Sequence, residues 1–281
     1  MTALRYVYAV CRPLGSPLPA GLTGVEGDPP TLLAHRGMVA VVGRVAEEDF
    51  AEEPLRRHLE DLDWLAATAR AHAQVVEALT AVTTLLPLRL ATVFRDDDGV
   101  RLMLEEREDD LRRTLDRLAD RVEWGVKVYV EAGTEAEAAT ETAGTGPSAN
   151  RPASGRDYLM RRRRSTRARE DAWQRAEELA GRLHATLRTR AESSRLHPPQ
   201  HPALSRTTGQ NVLNAAYLVP RSDSEEFVET VSGIKGEEPG TRVELTGPWA
   251  AYSFVDTEGV DTESDVDTES EEKTTGEERQ R

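Results

Sequence analysis

The side chains that could do chemistry are few and scattered. His58 and His72 stand fourteen residues apart, with no cysteine or third histidine nearby, which is not the clustering a metal site needs. His197 and His201 are four apart, but Pro198 and Pro199 forbid the helix that would align them, so the segment reads as a loop. Asp96-Asp97-Asp98-Gly99 resembles a calcium loop only superficially. With Gly99 at the loop's sixth position the first ligand would be Phe94, which cannot ligate, so a turn and helix N-cap is expected. Gly21, Gly24 and Gly27 recur every third residue, the wrong spacing for a dinucleotide fingerprint, and no helical pattern follows them. Walker, Gly-x-Ser-x-Gly, His-Glu-x-x-His and Cys-x-x-Cys motifs are missing. No catalytic, cofactor-binding or metal-ligating residue is therefore assigned, and the chain is expected to need no cofactor and not to be an enzyme.

One charged run remains, Arg161, Arg162, Arg163 and Arg164, followed by Arg167 and Arg169. Its readings are a solvated helix face, contacts to an acidic protein partner, and, third, nucleic acid, for which the interleaved aromatic side chains are missing. These four arginines are the candidate partner contacts.

Composition narrows the classes. The net charge of −14 is uneven: residues 256–281 hold 11 acidic and 3 basic side chains, leaving −6 on the other 255. An acidic balance argues against non-specific nucleic-acid binding, which runs on phosphate neutralisation. No apolar run approaches the ~18 residues of a membrane span. The N-terminus starts directly as an alternating strand rather than as a signal peptide. Cys11 is the only cysteine, so no intrachain disulfide can form, and the cytoplasm is the expected compartment.

The elements that must position any site follow from periodicity. Leu4 to Val10 alternates as a strand, residues 12–36 read as a Pro- and Gly-rich loop, and Met38 to Val45 as a buried strand. A helical stripe runs through Trp64, Thr68, Ala71, Val75, Leu79, Val82 and Leu86. Pro87 ends it, and Leu85–Phe94 becomes a strand with Leu88, Leu90, Thr92 and Phe94 on the core face. A helix with Leu104, Leu111, Leu115 and Leu118 buried leads to a strand from Trp124 to Val130, so a β-α-β unit is expected. Residues 132–154 have linker composition. A long helix is expected from Arg156 to about Ser193, packing through Leu159, Trp173, Ala176, Ala180, Leu183 and Leu187, then a strand at Val212–Val219, a capping box at Ser222-x-x-Glu225, a helix with Phe227, Val231 and Ile234, and strands at Arg242–Thr246 and Ala251–Val255: a second β-α-β unit. The repeated Val-Asp-Thr-Glu of the acidic tail predicts disorder.

Five stretches carry a family resemblance, in order: Pro87-Leu88-Arg89-Leu90-Ala91-Thr92-Val93-Phe94; Glu123-Trp124-Gly125-Val126-Lys127-Val128-Tyr129; Gly155-Arg156-Asp157-Tyr158-Leu159; Asn214-Ala215-Ala216-Tyr217-Leu218-Val219; and Leu245-Thr246-Gly247-Pro248-Trp249 with Tyr252-Ser253-Phe254. Together they resemble the gas vesicle protein L/F family over about Arg5 to Val255. The departures are Leu90-Ala91, where the family more often has an aromatic and a glycine, and Ala250-Ala251, where prolines are usual.

The resemblance implies an α+β fold of two domains: an N-terminal domain related to the ferredoxin-like fold over 1–131, a linker at 132–154, a C-terminal α+β domain with a long helix over 155–255, and the disordered acidic tail 256–281. It implies an accessory or minor structural protein of gas vesicles in the cytoplasm, binding the hydrophobic major shell protein and needed for assembly, without nucleic acid or membrane as partner. Two alternatives are a scaffold for other accessory proteins and an enzyme on a ferredoxin-like scaffold, the latter marked by a cleft where Arg89, Lys127 and nearby acids converge.

Overall fold

The N-terminal alternation forms β1 (Ala3–Cys11), the centre of a first sheet completed by β2 (Thr31–His35), β3 (Met38–Ala46) and β4 (Leu85–Pro87). In this computed structural model, which describes residues 3–131, 155–199 and 209–255, the order is β2-β3-β1-β4 with every neighbour antiparallel. β2 lies inside the segment read from sequence as one loop. Its hairpin to β3 turns on Arg36 and Gly37, both at positive φ (50° and 72°), a two-residue turn hidden by an arginine where asparagine or aspartate is the usual signal. Along β1 the register slips at Tyr8. Leu4, Tyr6 and Tyr8 face one core with Ala9 and Cys11, while Val7 and Val10 face the other, so Val10 is not on the Tyr face that strict alternation predicts.

The edge of this sheet departs furthest from expectation. Leu85–Phe94 does run antiparallel along β1, but as two pieces, β4 and a two-residue β5 (Val93–Phe94). Ala9 pairs with Pro87 and Tyr6 with Val93, so three extra residues are looped out between them. Arg89 to Ala91 make that loop, with Ala91 at φ 62°, a left-handed conformation that costs an alanine about 1 kcal/mol. Leu88 is fully buried, and Phe94 packs against the same core. Leu90, expected in the core, sits in the loop half-buried.

The second sheet consists of β6 (Arg121–Val130), β7 (Ser193–Leu196), β8 (Gln210–Pro220) and β9 (Thr241–Trp249), ordered β7-β8-β6-β9 and again antiparallel throughout. Counted within its own half, each sheet reads 4-1-3-2, the strand order of the ferredoxin-like β-α-β-β-α-β arrangement. The first β-α-β unit expected from sequence does not form: Leu85–Phe94 and Trp124–Val130 lie in different sheets. The expected 1–131 unit therefore contributes its last strand, β6, to the second sheet. The second unit does form, split: β8 and β9 both pair with β6 between them. The 132–154 segment and the tail 256–281 lie outside the described residues.

Helices cover the sheets. After α1 (Glu47–Phe50) and α2 (Glu52–His58), α3 (Leu62–Thr80) begins at Asp61, whose carboxylate accepts from the N–H groups of Asp63 and Trp64. Its Val75, Val76 and Leu79 pack on the Tyr6–Tyr8 face. Asp96 caps α4 (Asp97–Glu106) through Gly99 N–H at 2.9 Å, the expected turn and cap. α4 and α5 (Glu108–Arg117) fill the opposite face with Val100, Leu104, Leu111 and Leu115, and this core also takes Ala216 and Leu218 of β8. On the far side of the second sheet, Trp124, Val126 and Val128 meet α6 (Gly155–Arg188) and α7 (Ser224–Ile234). The capping box at α7 is not made: Ser222 donates to Asp223 instead. The last expected strand is also replaced, since β9 runs through Pro248 to Trp249 and Tyr252–Phe254 is a 3-10 turn.

Candidate functional site

Two buried ionisable side chains, His72 and Glu123, converge on that 3-10 turn. Tyr6 reaches across the first sheet's core: its hydroxyl accepts the Ala91 N–H at 3.0 Å and shares a hydrogen bond with His72 Nδ1 at 2.9 Å. On its other side, His72 Nε2 shares a hydrogen bond with the Tyr252 hydroxyl at 3.1 Å. One residue on, Ser253 holds Glu123 of β6 twice, by its N–H at 2.8 Å and its hydroxyl at 2.6 Å, and His197 Nε2 lies 3.1 Å from the same hydroxyl. The Arg117 guanidinium donates to the Phe254 carbonyl at 2.6 Å. Turn residues 252–254 thus hold α3, α5, β6 and the chain after β7 at once.

A glutamate, a serine and a histidine in one line invite comparison with a nucleophilic triad. The order is wrong. In a triad the histidine stands between hydroxyl and carboxylate, takes the hydroxyl proton, and is steadied by the carboxylate. Here the serine stands in the middle and gives its proton to Glu123 directly, leaving His197 to donate to the oxygen. Both lone partners are spent on holding the turn. Burial pushes the Glu123 carboxyl up, and the two bonds from Ser253 pull it back. His197 is pushed down by burial and by the neighbouring Arg195 and Lys127 charges.

Burial also pushes His72 down, to about 4, so the clasp uses its neutral form. The unfolded chain, with histidine near 6.5, binds that proton more readily. The stabilisation is therefore complete above pH ~6.5 and is lost as pH falls through ~4, amounting to about 2–3 kcal/mol between pH 7 and pH 4.5. Urea unfolding at the two pH values should show that loss, and His72→Gln should flatten it. Glu123, raised by burial, acts with the opposite sign, present below ~4.5 and lost as pH rises. The difference between parent and His72→Gln isolates the histidine. Equal pH slopes in the two proteins would remove His72 from the clasp.

The sequence candidates are placed elsewhere. Arg162, Arg163 and Arg164 are exposed on the first half of α6, and the Arg161 side chain lies outside the described residues. Arg89 sits in the loop of the first sheet's edge and Lys127 on the central strand of the second. The cavities described are one of ≈20 Å³, walled by Thr80, Thr84, Leu118, Arg221 and Ala251, and an open groove along α6; neither includes Arg89 or Lys127. The smaller holds about one water. Among the described residues no group of three or more His, Cys, Asp or Glu side chains could hold a metal ion. His58 stacks on Trp64 at 4.9 Å and faces Asp49, a structural role. Gly24 of the glycine run has room for no Cβ because the Tyr8 hydroxyl fills that space.

Four of the five family-like stretches build this framework. β6 and β8 pair Gly125 with Ala216 and Trp124 with Tyr217, and a Cβ on Gly125 would stand 2.7 Å from Thr246 Oγ1 of β9. The first stretch supplies the Ala91 N–H that anchors Tyr6. The third, Gly155–Leu159, is different: Tyr158 and Leu159 are more than half exposed and Met160 nearly so.

The family model described as gas vesicle synthesis protein GvpL/GvpF matches residues 4–256. The chain belongs to that family. It is 56% identical to gas vesicle protein L of Streptomyces sp. (strain CB03234) over 252 residues, covering 89% of this chain and 92% of the relative. Gas vesicle protein F of the same strain is 29% identical over 256 residues, covering 89% and 99%. Two crystal structures share the fold: GvpF from Anabaena sp. PCC7120, with TM-score 0.61 and 19% identity over 90% of this chain and 95% of that one, and GvpF from Microcystis aeruginosa, with 0.60 and 20% over 90% and 99%. The GvpL/GvpF membership read from the five stretches holds. No helix of the described residues is long and apolar enough to cross a membrane.

Of the clasp residues, sequence weighed His72 only as a metal ligand, showed Glu123 and Ser253 only inside family-like stretches, and showed Tyr6 only as a strand position. Tyr252-Ser253-Phe254 was visible as a family-like stretch, but its side-chain partners are 56 to 180 residues away, beyond any spacing rule.

Proposed function

We propose that this GvpL/GvpF-family protein is a gas vesicle assembly factor that binds the hydrophobic shell protein directly, in the cytoplasm, through the exposed start of α6. It is read as a binding protein rather than an enzyme, because the one Ser–His–Glu contact is spent on structure. Its higher identity to protein L than to protein F of one organism supports an L-type role. The observation that carries the reading is Tyr158-Leu159-Met160: three adjacent large apolar side chains, exposed, at the end of the one family-like stretch whose described side chains are all exposed. A shell protein with an apolar surface aggregates if left bare in water, and such a tip offers it apolar contact.

The test is co-expression with the shell protein and a pull-down washed at ~0.5 M salt, where the screening length is about 4 Å. Apolar docking survives the wash, and Leu159→Glu abolishes it. Cells lacking the protein are expected to form few or no vesicles. No association in the pull-down, or normal buoyant vesicles in a deletion strain with no second copy, sinks the reading. Complexes with other accessory proteins that dissolve in the same wash would instead support the scaffold reading, for which the arginines of α6 are the suited surface.

A further inference from the structure

We infer that the basic first half of α6 is a docking surface for the acidic segment 256–281 of the same chain. From Arg156 to Asp171 every described side chain is exposed, and α6 starts to pack only at Ala172 and Trp173. This free half spans about 25 Å. Residues 156–171 include seven arginines against three acids. Arg163 and Arg167 are four apart, and Arg164 and Arg167 three apart, so like charges stack on one side of the helix and repel. Among the described residues no carboxylate lies within ion-pair distance of Arg162, Arg163 or Arg164. A helix that buries no face gains nothing from packing, and charge neutralisation is what can hold it.

Segment 256–281 has the complementary chemistry. It holds eleven carboxylates, a net charge of −8, and only Val260 and Val266 as apolar side chains. It leaves the fold at Val255, which is packed in the core shared by the two sheets. Its 26 residues can span up to roughly 90 Å, whereas α6 is only about 50 Å long, so reach does not limit the contact. Tethering also gives the acids an effective concentration in the millimolar range, enough for a weak, purely electrostatic association. The functional consequence is protection. A bare arginine helix binds polyanions without specificity, and a covered one does not. This inference does not depend on what Tyr158-Leu159-Met160 contacts.

The test keeps the chain at full length and replaces the eleven carboxylates of 256–281 by their amides. Two readouts are compared at low salt and at ~0.5 M. Trypsin cleavage after Arg162–Arg164 should be several-fold faster in the amide variant at low salt, with no difference at high salt. A fluorescent single-stranded oligonucleotide should bind the amide variant at least about tenfold tighter than the parent at low salt. Arg162→Glu, Arg163→Glu and Arg164→Glu, added to the amide variant, should remove that gain. Protection independent of protein concentration places the segment on its own chain. Protection that rises with concentration would overturn the inference in favour of a second copy's tail. Equal cleavage rates and equal oligonucleotide affinity in parent and amide variant would overturn it outright.

Discussion

Phe254→Ala is expected to destabilise the protein by about 3–5 kcal/mol, the usual range for emptying a fully buried phenylalanine site. For a chain of this size the melting temperature should fall on the order of 10 °C. The side chain is 2% exposed and lies in the core that joins α4 and α5 to both sheets, beside Ala251 and Val255. Its backbone carbonyl accepts from Arg117. Removing the ring empties the apolar anchor under the turn whose neighbours, Tyr252 and Ser253, hold His72 and Glu123. Trp249, five residues earlier in the same family-like stretch, is the control. It is 48% exposed, and Trp249→Ala should cost about 1 kcal/mol or less. Thermal unfolding of the two variants separates them. A loss below ~1 kcal/mol for Phe254→Ala would mean that the turn does not close the core.

What could be read from sequence follows the range of the interactions concerned. Local periodicity placed α3 as far as Thr80, the buried leucines of α4 and α5, the packed half of α6 and the α7 stripe, because a helix writes its buried face into spacings of three and four. The same reading overran at Val82 and Leu86, which lie in the turn after α3 and in β4, and at Leu159, which is exposed. It placed Asp96 as a cap, because the cap and its N–H are three residues apart. Strand partners were harder. β6 looks like the end of a β-α-β unit from its neighbours, yet its partners β8 and β9 begin more than 70 residues later. The hairpin at Arg36-Gly37 hid a whole strand, and the slip at Tyr8 moved Val10 to the other face. A single extra residue does that, and composition carries no trace of it. The candidate site divides the same way. The arginines of α6 are legible as a run, and the structure adds that the helix carrying them is exposed there. The Tyr6–His72–Tyr252 and Glu123–Ser253–His197 contacts span 56 to 180 residues and were beyond sequence reading.

The looped-out edge gives the other large effect, through a pair of substitutions two residues apart. Leu88→Asp should leave the protein unfolded or insoluble, whereas Leu90→Asp should fold and cost about 1 kcal/mol or less. Unbroken alternation would make the two equivalent, because it puts both on the core face. The register does not allow it: between Pro87 and Val93 the edge advances six residues while β1 advances three. Leu88 comes before the loop, gives its N–H to the Tyr8 carbonyl at 2.9 Å, and is fully buried with Leu86 and Leu104. A carboxylate there has no partner and no water, and its burial costs several kcal/mol or forces protonation. Leu90 lies in the loop itself, between exposed Arg89 and left-handed Ala91, where a carboxylate reaches solvent. Soluble yield and urea unfolding of the two variants decide the matter. A collapsed Leu90→Asp beside a stable Leu88→Asp would shift the loop by at least one residue. It would also take the Ala91 N–H away from Tyr6, so the clasp at His72 would have to be rebuilt on a different anchor.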